Sequence, residues 1–172
     1  GLEIYNLRKF QLKLLNDYIK SINLNNKYNF RLNFVIKDDF YQSNLYQEKY
    51  LDSLKNSRSH DSQFGGVKFG PHKSDIIAKI NNNFDASQLS TGQQKTVVLM
   101  MLLAQCFYLV NERKIKPILL FDEVCSHLDS HNREILLEII NQFDIQLFLT
   151  STDKTLFSFI STNIEFYNIT EL

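Results

Sequence analysis

The chain has 172 residues, 44% of them apolar, and its 19 lysine and arginine residues balance 19 aspartate and glutamate residues. This length and composition predict a globular protein with one core, either one domain or one lobe of a larger one. Zero net charge excludes a global attraction to nucleic acid or membranes, so such binding requires a local patch. Two cysteines, Cys106 and Cys125, exclude a secreted disulfide framework, and no N-terminal signal pattern is visible, so we expect a cytoplasmic protein.

The N-terminal part of the chain has a helix, strand, helix pattern. Apolar residues recur every three or four positions from Tyr5 to Ile22, which predicts an amphipathic helix with lysines toward water. Alternating polarity from Tyr28 to Val35 predicts a half-buried strand, and a second helix is predicted from Ser43 to Ser57. Two short strands and a turn are predicted after that helix: Val67–Phe69, Ile76–Ile80 and Asn81–Asn83.

The most apolar segment predicts a core helix. Ser90 with Gln93 forms an S-x-x-Q capping box before the apolar residues, and the helix is predicted to end at Asn111. The stretch from Val97 to Val110 is apolar on nearly every face, but about fourteen residues are too few to span a bilayer. We therefore expect a buried helix and no membrane partner.

A strand, a helix and another strand follow at the spacing of a βαβ unit. Ile118–Phe121 is a continuous apolar run, typical of a strand covered on both faces. Asp129 or Ser130 is predicted to cap the helix, and Ile145–Thr150 is the next strand. This order predicts a right-handed crossover and an α/β fold with an at least partly parallel sheet. A final edge strand is predicted at Ile164–Ile169.

Two acids, Asp122 and Glu123, follow the first of these strands. In open parallel sheets, ligands bind beyond the carboxyl ends of the strands. An acid there can hold Mg²⁺ directly or through water, and its neighbour can orient a water for attack on a terminal phosphate. The pair can equally begin a loop and cap a helix, and the pattern alone does not decide between these interpretations.

The segment Ser90-Thr91-Gly92-Gln93-Gln94 also allows two interpretations. Ser90 can cap a helix whose first turn contains Gly92, which is a purely structural role. A helix N-terminus with free amides, a hydroxyl and a glycine is also a phosphate receptor. The sequence contains no G-x-x-x-x-G-K-[ST] loop, whose amides and lysine hold nucleotide phosphates, so these motifs predict half of an ATPase site.

Several motifs resemble those of the ABC-type ATPases. Leu89–Gln94 resembles their signature motif, Ile118–Glu123 their Walker B strand, and Ser126–Asp129 their D-loop. Within that superfamily the chain resembles the RecF family over about residues 49–152. That resemblance rests on three motifs: Gly70-Pro71-His72-Lys73-Ser74-Asp75, similar to G-P-H-R-x-D; Gly92-Gln93-Gln94-Lys95-Thr96, similar to G-Q-Q-R-T; and Leu54 with Ser57-Arg58 and Asp61.

The resemblance implies a domain organisation. Residues 61–172 would be the C-terminal lobe of a P-loop NTPase-like, ABC-type head, with a partly parallel sheet flanked by helices and without the Walker A half. Residues 1–60 would be the arm-proximal helix and strand returning into that head.

The resemblance also implies roles for individual residues, because RecF-like heads dimerise around ATP. Glu123 would be catalytic, acting on the attacking water, and Asp122 would help to hold Mg²⁺. Thr150 and Ser151 occupy the switch position, where transporter ATPases usually carry histidine, which argues against a transporter subunit. Four residues would contact the nucleotide bound by the other subunit: Ser90, Gly92, Gln93 and Asp129.

The cellular function implied is ATP-dependent DNA binding in recombinational repair, replication-gap processing and the SOS response. The expected partners are single-/double-stranded DNA junctions or gaps, a second copy of the head, and recombination mediator proteins. His72 and Lys73 could contact DNA phosphates or make structural hydrogen bonds. Because Walker A is absent, we expect this chain alone to be inactive.

Some features depart from the family or allow other interpretations. RecF-like sequences often have Asp-Asp where this chain has Asp122-Glu123, and glutamate at the position of His127. A metal site is an alternative for Cys125, His127 and His131, of which the histidines are four residues apart. Two further alternatives are a non-catalytic RecF-like interaction module and a fragment of another SMC/ABC-type ATPase.

Overall fold

The computed structural model describes residues 1–23, 30–38, 40, 47–67, 69–158, 160 and 164–169. The chain contains two compact units, Gly1–Ser90 and Thr91–Leu172. The family resemblance implies a different boundary, near residue 60, between the arm-proximal segment and the head. That boundary stays a prediction.

The first unit combines two helices with a small antiparallel sheet. Strands β1 (Leu32–Lys37) and β2 (Asp75–Ile80) are antiparallel, with Phe34 opposite Ala78. Strand β2 also pairs with β3 (Phe84–Asp85), so the strand order is β1-β2-β3. The elements are α1 (Leu2–Asn23), β1 (Leu32–Lys37), α2 (Gln47–Phe64), a 3₁₀ turn (Pro71–Lys73), β2 (Asp75–Ile80), β3 (Phe84–Asp85) and a second 3₁₀ turn (Ala86–Gln88).

Helix α1 lies along the outer strand β1. Alternate residues of β1 are buried. On α1, the buried residues include Tyr5, Leu12, Ile19 and Ile22, which belong to the apolar face of the predicted amphipathic helix. The side-chain amide of Asn16 donates to the Phe34 carbonyl oxygen at 2.8 Å and accepts from the Phe34 N–H at 2.7 Å. A helix side chain therefore pairs with the backbone at the free edge of the sheet, where no further strand is present among the described residues.

Three predictions in this unit require correction. Strand β1 is displaced toward the C-terminus, beginning at Leu32, while residues 24–29 lie outside the described part of the chain. Helix α2 continues to Phe64, well beyond the predicted end at Ser57, and its predicted start also lies outside the described residues. Val67 and Phe69 do not belong to a strand, and Lys68 is not described. The Val67 carbonyl instead accepts a hydrogen bond from His72 Nε2 at 2.8 Å, which makes this segment a loop.

The second unit contains the parallel strands. Strands β4 (Ile118–Phe121) and β5 (Gln146–Leu149) are parallel, with Phe121 opposite Leu149, as the βαβ spacing predicted. The fold is therefore α/β, with antiparallel and parallel sheets and helices, as predicted. The elements are α3 (Thr91–Asn111), β4 (Ile118–Phe121), α4 (Val124–His127), α5 (Ser130–Ile140), β5 (Gln146–Leu149) and a 3₁₀ turn (Lys154–Phe157).

Two strand predictions in the second unit are wrong. Ile118 and Leu120 are 60% and 73% exposed, whereas Phe121 is 4% exposed, so β4 is not covered on both faces. A continuous apolar run indicates that a strand can be buried, but it does not specify which elements cover it. The described residues 164–169 do not form the predicted edge strand, because apolar composition alone cannot make a strand that has no neighbour.

Helix α3 has the buried side that a core helix requires. By length and composition alone its 21 residues could cross a membrane, so the length argument against a bilayer span is insufficient. Met100, Leu103 and Ala104 are completely buried within the protein, however, and core helices of soluble proteins meet the same length and composition criteria. The burial supports the predicted core role.

Candidate functional site

The predicted acids lie where the two parallel strands end. Because Phe121 and Leu149 are opposite each other, the next residues, Asp122 and Thr150, leave the sheet at the same edge. The Thr150 N–H donates to the Phe121 carbonyl at 3.0 Å, which extends the ladder by one hydrogen bond. The register therefore brings a hydroxyl residue beside the acid pair, at the edge where parallel sheets bind ligands.

One hydroxyl group connects both acids. Thr150 Oγ1 donates to Asp122 Oδ1 at 2.5 Å and accepts the backbone N–H of Glu123 at 3.0 Å. A threonine hydroxyl has a single proton to donate, and here that proton goes to a carboxylate. Thr150 therefore fixes the Asp122 side chain and the Glu123 backbone together.

The backbone of Glu123 adopts an uncommon conformation. Its φ of 53° and ψ of 18° are left-handed, which costs a non-glycine residue about 1–2 kcal/mol. Its carbonyl accepts the Ser126 hydroxyl at 2.6 Å, so hydroxyls from Thr150 and Ser126 hold Glu123 from both sides. We call Thr150 and Ser126 the hydroxyl clamp. Sequence analysis placed Ser126 in the D-loop but missed this contact; its only signal was a serine three residues after the acid.

Asp129 caps α5, as predicted. Its carboxylate accepts the Asn132 backbone N–H at 2.7 Å and the Asn132 side-chain amide at 3.1 Å. This is a standard N-cap arrangement and explains why the helix begins at Ser130. The predicted contact of Asp129 with a nucleotide across a dimer interface stays a prediction.

The first turn of α3 is accessible. Ser90, Gly92 and Gln93 are all exposed, and a Cβ built on Gly92 would have no atom within 4 Å. The Gly92 carbonyl accepts the Thr96 hydroxyl at 3.2 Å, which fixes the turn from its inner side. Among the residues that the structure describes, this turn is exposed, so a second molecule can reach it; its nucleotide contacts stay predictions.

Ser151 has a different role from its neighbour. Its hydroxyl oxygen accepts the Asp153 N–H at 3.3 Å, and Asp153 in turn accepts the Thr155 N–H at 2.8 Å. Hydrogen bonding from Thr155 lowers the pKa of the Asp153 carboxyl. Of the two predicted switch residues, only Thr150 is hydrogen-bonded to the acid pair in the described structure.

The Gly70–Asp75 loop, the candidate DNA contact, is held in place by hydrogen bonds to Arg8 and Asp38. Arg8 of α1 donates to the Pro71 carbonyl, and the Ser74 hydroxyl donates to Asp38 at 2.7 Å. His72 uses Nε2 for the structural hydrogen bond to Val67, whereas the Lys73 side chain is exposed. The structural alternative therefore applies to His72. Arg8 and Asp38 were missed because both are distant from the loop in sequence.

Asp38 connects several parts of the first unit. Besides Ser74, its carboxylate accepts the Tyr5 hydroxyl at 2.9 Å and the Phe40 N–H at 2.8 Å. Burial, followed by the hydrogen bond to Asp38, raises the pKa of Tyr5 to about 12. The aromatic rings of Phe40 and Tyr50 pack against Tyr5, with centroids 5.4 and 6.2 Å from its ring.

The metal alternative has little support in the structure. No group of three or more His, Cys, Asp or Glu side chains suited to a metal occurs among the residues described. Cys125 is buried, and burial raises the pKa of its thiol, which disfavours the thiolate that zinc requires. The His127 side chain lies outside the described part of the structure. Asp122 suits Mg²⁺ better, because Mg²⁺ needs only one or two carboxylates beside water and phosphate.

Comparison with known families identifies the chain. The RecF/RecN/SMC N terminal domain matches residues 4–171. The chain belongs to the RecF/RecN/SMC family. Within this family it is RecF-like, as predicted from the motifs at Leu54–Asp61, Gly70–Asp75 and Gly92–Thr96.

Relatives of the chain are known as DNA replication and repair protein RecF. The Rhizobium etli protein is 32% identical over 126 residues, which cover 73% of this chain and 34% of the relative. The Rickettsia conorii protein is 36% identical over 129 residues, covering 68% and 36%. The Rickettsia rickettsii protein is 41% identical over 101 residues, covering 58% and 28%. The RecF-like chain thus spans about a third of the length of these relatives.

Solved RecF structures have the same fold. The recombination mediator protein RecF-ATPrS in the RecFOR pathway superposes with a TM-score of 0.71 and 27% identity, covering 91% of this chain and 43% of that one. RecF-ATP gives a TM-score of 0.70, also with 27% identity, covering 90% and 42%. The predicted P-loop ATPase-like α/β fold is therefore confirmed.

Proposed function

We propose that these residues form the C-terminal lobe of the head of a RecF-like ATPase. ATP and Mg²⁺ are bound between two heads, and dimerisation on DNA serves recombinational repair and replication-gap processing. The observation that carries the proposal is the Thr150 hydroxyl, which connects Asp122 and Glu123 at the carboxyl edge of parallel strands. A surface acid pair that only began a loop would not require this connection.

The acid pair divides the chemistry between its members. Bound Mg²⁺ would neutralise phosphate charge, and the exposed Asp122 carboxylate would hold it directly or through water. Glu123, held by the hydroxyl clamp, orients and polarises the attacking water. The clamp matters because a water misplaced by about 1 Å can cost two orders of magnitude in rate.

The second head completes the site. Ser90, Gly92 and Gln93 would contact the terminal phosphate held by the other subunit, and their exposure supports this role. The start of α3 offers backbone N–H groups that favour an anion. Asp129 would lie near the same interface.

The cellular part of the proposal rests on the relatives. Their name, DNA replication and repair protein RecF, and the RecFOR pathway of the solved structures support a role in DNA replication, repair and recombination. A cytoplasmic location and a part in the SOS response are expectations that the RecF resemblance adds to the proposal. The partners we propose are DNA gaps or single-/double-strand junctions, a second head and recombination mediator proteins. Because the chain spans only part of its relatives, the activity is proposed for the protein that contains it.

Substitution of the two acids tests the catalytic proposal. In the complete protein, Glu123→Gln should retain ATP binding and ATP-dependent dimerisation but reduce ATP hydrolysis at least about 100-fold. Asp122→Asn should weaken the Mg²⁺ dependence of nucleotide binding as well. Glu134→Gln, on α5, is a matched carboxylate-to-amide control and should retain wild-type turnover. Normal turnover by Glu123→Gln would remove Glu123 from the mechanism.

A non-catalytic interaction module is the second candidate. It is favoured by one observation, the absence of G-x-x-x-x-G-K-[ST] from the sequence. ATP hydrolysis should be measured for this chain alone and after addition of a Walker A half from a RecF relative. We expect no activity alone and activity after complementation. Activity of the isolated chain would contradict the proposed division of the site, and none after complementation would favour the module.

A further inference from the structure

A groove lies between helix α1 and strand β1 in the first unit, and its lining includes the apolar residues Leu12, Phe34, Val35 and Ile36. Its volume is about 640 Å³. The polar residues that line it include three lysines, two asparagines and one aspartate: Lys9, Lys13, Lys20, Asn16, Asn33 and Asp17. We call this feature the α1 groove. None of the roles proposed above uses it.

The three lysines lie on one side of the helix. Their spacing of four and seven residues returns to the same face of a helix with 3.6 residues per turn, and they extend over about 17 Å at 1.5 Å per residue. All three are exposed. Lys20 lies 3.7 Å from Asp17, the one carboxylate among the described lining residues. The groove therefore carries an excess of positive charge in a chain whose net charge is zero.

The backbone of β1, opposite the lysines, is already hydrogen-bonded. Asn16 occupies both the N–H and the C=O of Phe34 at the free edge of β1. A peptide that added itself to this edge as a strand would have to displace Asn16, which disfavours strand addition. Phosphate groups do not need free backbone groups at the sheet edge, because lysine ammonium groups bind them as point charges.

We propose that the α1 groove binds the sugar-phosphate backbone of DNA. Lys9 and Lys13 provide the main contacts, Lys20 contributes less because Asp17 competes for it, and the amide of Asn33 can donate to phosphate oxygens. This inference rests on the proposed function. That function requires contacts with DNA, and a chain with no net charge can supply them only through a local cluster of positive charge. Arg8, next to Lys9 on α1, holds Pro71, so the same helix also anchors the loop that carries Lys73.

The salt dependence of DNA binding tests the groove. Complete protein with ATP should be titrated into a labelled single strand, and separately into the duplex of the same sequence, at several KCl concentrations. Lys9→Gln with Lys13→Gln should weaken binding about 5- to 30-fold at low salt. The slope of log affinity against log salt should fall by about 1 to 2, since each lost phosphate contact removes about 0.7–0.9. A loss confined to one probe identifies the strand form that the groove binds.

Two further variants separate charge in the groove from charge elsewhere. Lys49→Gln with Lys55→Gln removes two exposed lysines from α2 and should leave the slope within about 0.3 of wild type, because surface charge outside the contact contributes little. Asp17→Asn should tighten binding about 2- to 5-fold, because it removes the competing carboxylate and releases Lys20. Opposite effects at Lys9/Lys13 and Asp17 are not expected from a simple loss of folding.

Several results would overturn the proposal. Equal slopes for the Lys9/Lys13 and Lys49/Lys55 variants would do so, as would unchanged affinity in Asp17→Asn. Competition by polyglutamate equal to competition by DNA of the same charge would assign the groove to an acidic protein instead. Failure of wild-type protein to bind ATP and DNA would instead refute the proposed function, and is visible before any groove variant is made.

Discussion

Thr150 and Asp122 meet across the carboxyl ends of two parallel strands, with the threonine hydroxyl 2.5 Å from the aspartate Oδ1 although 28 positions separate them in sequence. The same hydroxyl accepts the N–H of Glu123. A single side chain, on the residue directly after β5, therefore determines how both acids after β4 are presented.

Removal of this hydroxyl should affect turnover more than nucleotide binding. In the complete protein, Thr150→Val should reduce kcat for ATP hydrolysis about 10- to 100-fold with little change in KM, because the acids lose their shared partner but the binding surfaces remain. Thr150→Ser retains the hydroxyl and should keep at least about a third of wild-type kcat, as expected when the positioning contact survives. If valine and serine variants behave alike, the hydroxyl has no positioning role.

The left-handed backbone of Glu123 leads to a second prediction. Replacement by glycine should give a protein that is about 1 kcal/mol more stable than the alanine variant, because glycine adopts this conformation without the Cβ penalty. Both variants lack the carboxylate and should be inactive. Thermal unfolding of the pair measures the difference. At Glu134, inside α5, the order should reverse, since glycine in a helix is less stable than alanine by about 1 kcal/mol. Equal stability of the Glu123 pair would mean that the residue is not left-handed in solution.

Tyr5 makes the stability of the first unit sensitive to alkaline pH. Its pKa is about 12 in the folded protein and 10.0 without the fold, and the ring is completely buried. Below pH 10 both states are protonated and the full stability is present. Between pH 10 and 12 the unfolded state loses its proton first, so stability falls as pH rises, by at most about 3 kcal/mol.

This alkaline loss should depend on the Tyr5 hydroxyl. Tyr5→Phe should reduce stability at pH 7 by about 1 kcal/mol, through the lost hydrogen bond to Asp38, but should flatten the decline above pH 10. Tyr167→Phe removes an exposed hydroxyl and is the control that should retain the decline. Denaturant unfolding as a function of pH distinguishes the two, and an unchanged decline in Tyr5→Phe would assign the alkaline effect to other groups.

Removal of the Asp38 carboxylate should lower the free energy of unfolding more than removal of an exposed carboxylate. Asp38→Ala removes the carboxylate that accepts from the hydroxyls of Tyr5 and Ser74 and should destabilise the protein by about 2–4 kcal/mol. Asp52→Ala removes an exposed carboxylate that lies 3.8 Å from Lys55, a surface pair worth about 0.5 kcal/mol or less. Denaturant midpoints of the two variants measure the contrast. Equal losses would show that the three hydrogen bonds to Asp38 are not a stabilising centre.

Local patterns in the sequence were sufficient for much of the fold. The helices that begin at Leu2, Thr91 and Ser130 follow from helical periodicity or capping residues, and β2 and β5 follow from short apolar runs between turns. The acid pair after β4 could also be recognised, because an apolar strand followed by Asp-Glu is a contiguous signal. Local patterns wrongly predicted a strand at Val67–Phe69. There the His72 side chain donates to the Val67 carbonyl, which in a strand would accept from a neighbouring strand.

The sequence by itself determined that this is a RecF-like α/β protein with an acid pair at a strand end, because those signals lie in contiguous segments whose periodicity and residue types act locally. Only the tertiary structure decided which residues meet: Thr150 with Asp122, Ser126 with Glu123, Asn16 with Phe34, and Asp38 with Tyr5 and Ser74. These contacts depend on strand register, on a left-handed residue and on the packing of α1. Their physical basis is the requirement that polar groups brought together by folding find partners, and a linear pattern does not contain that information.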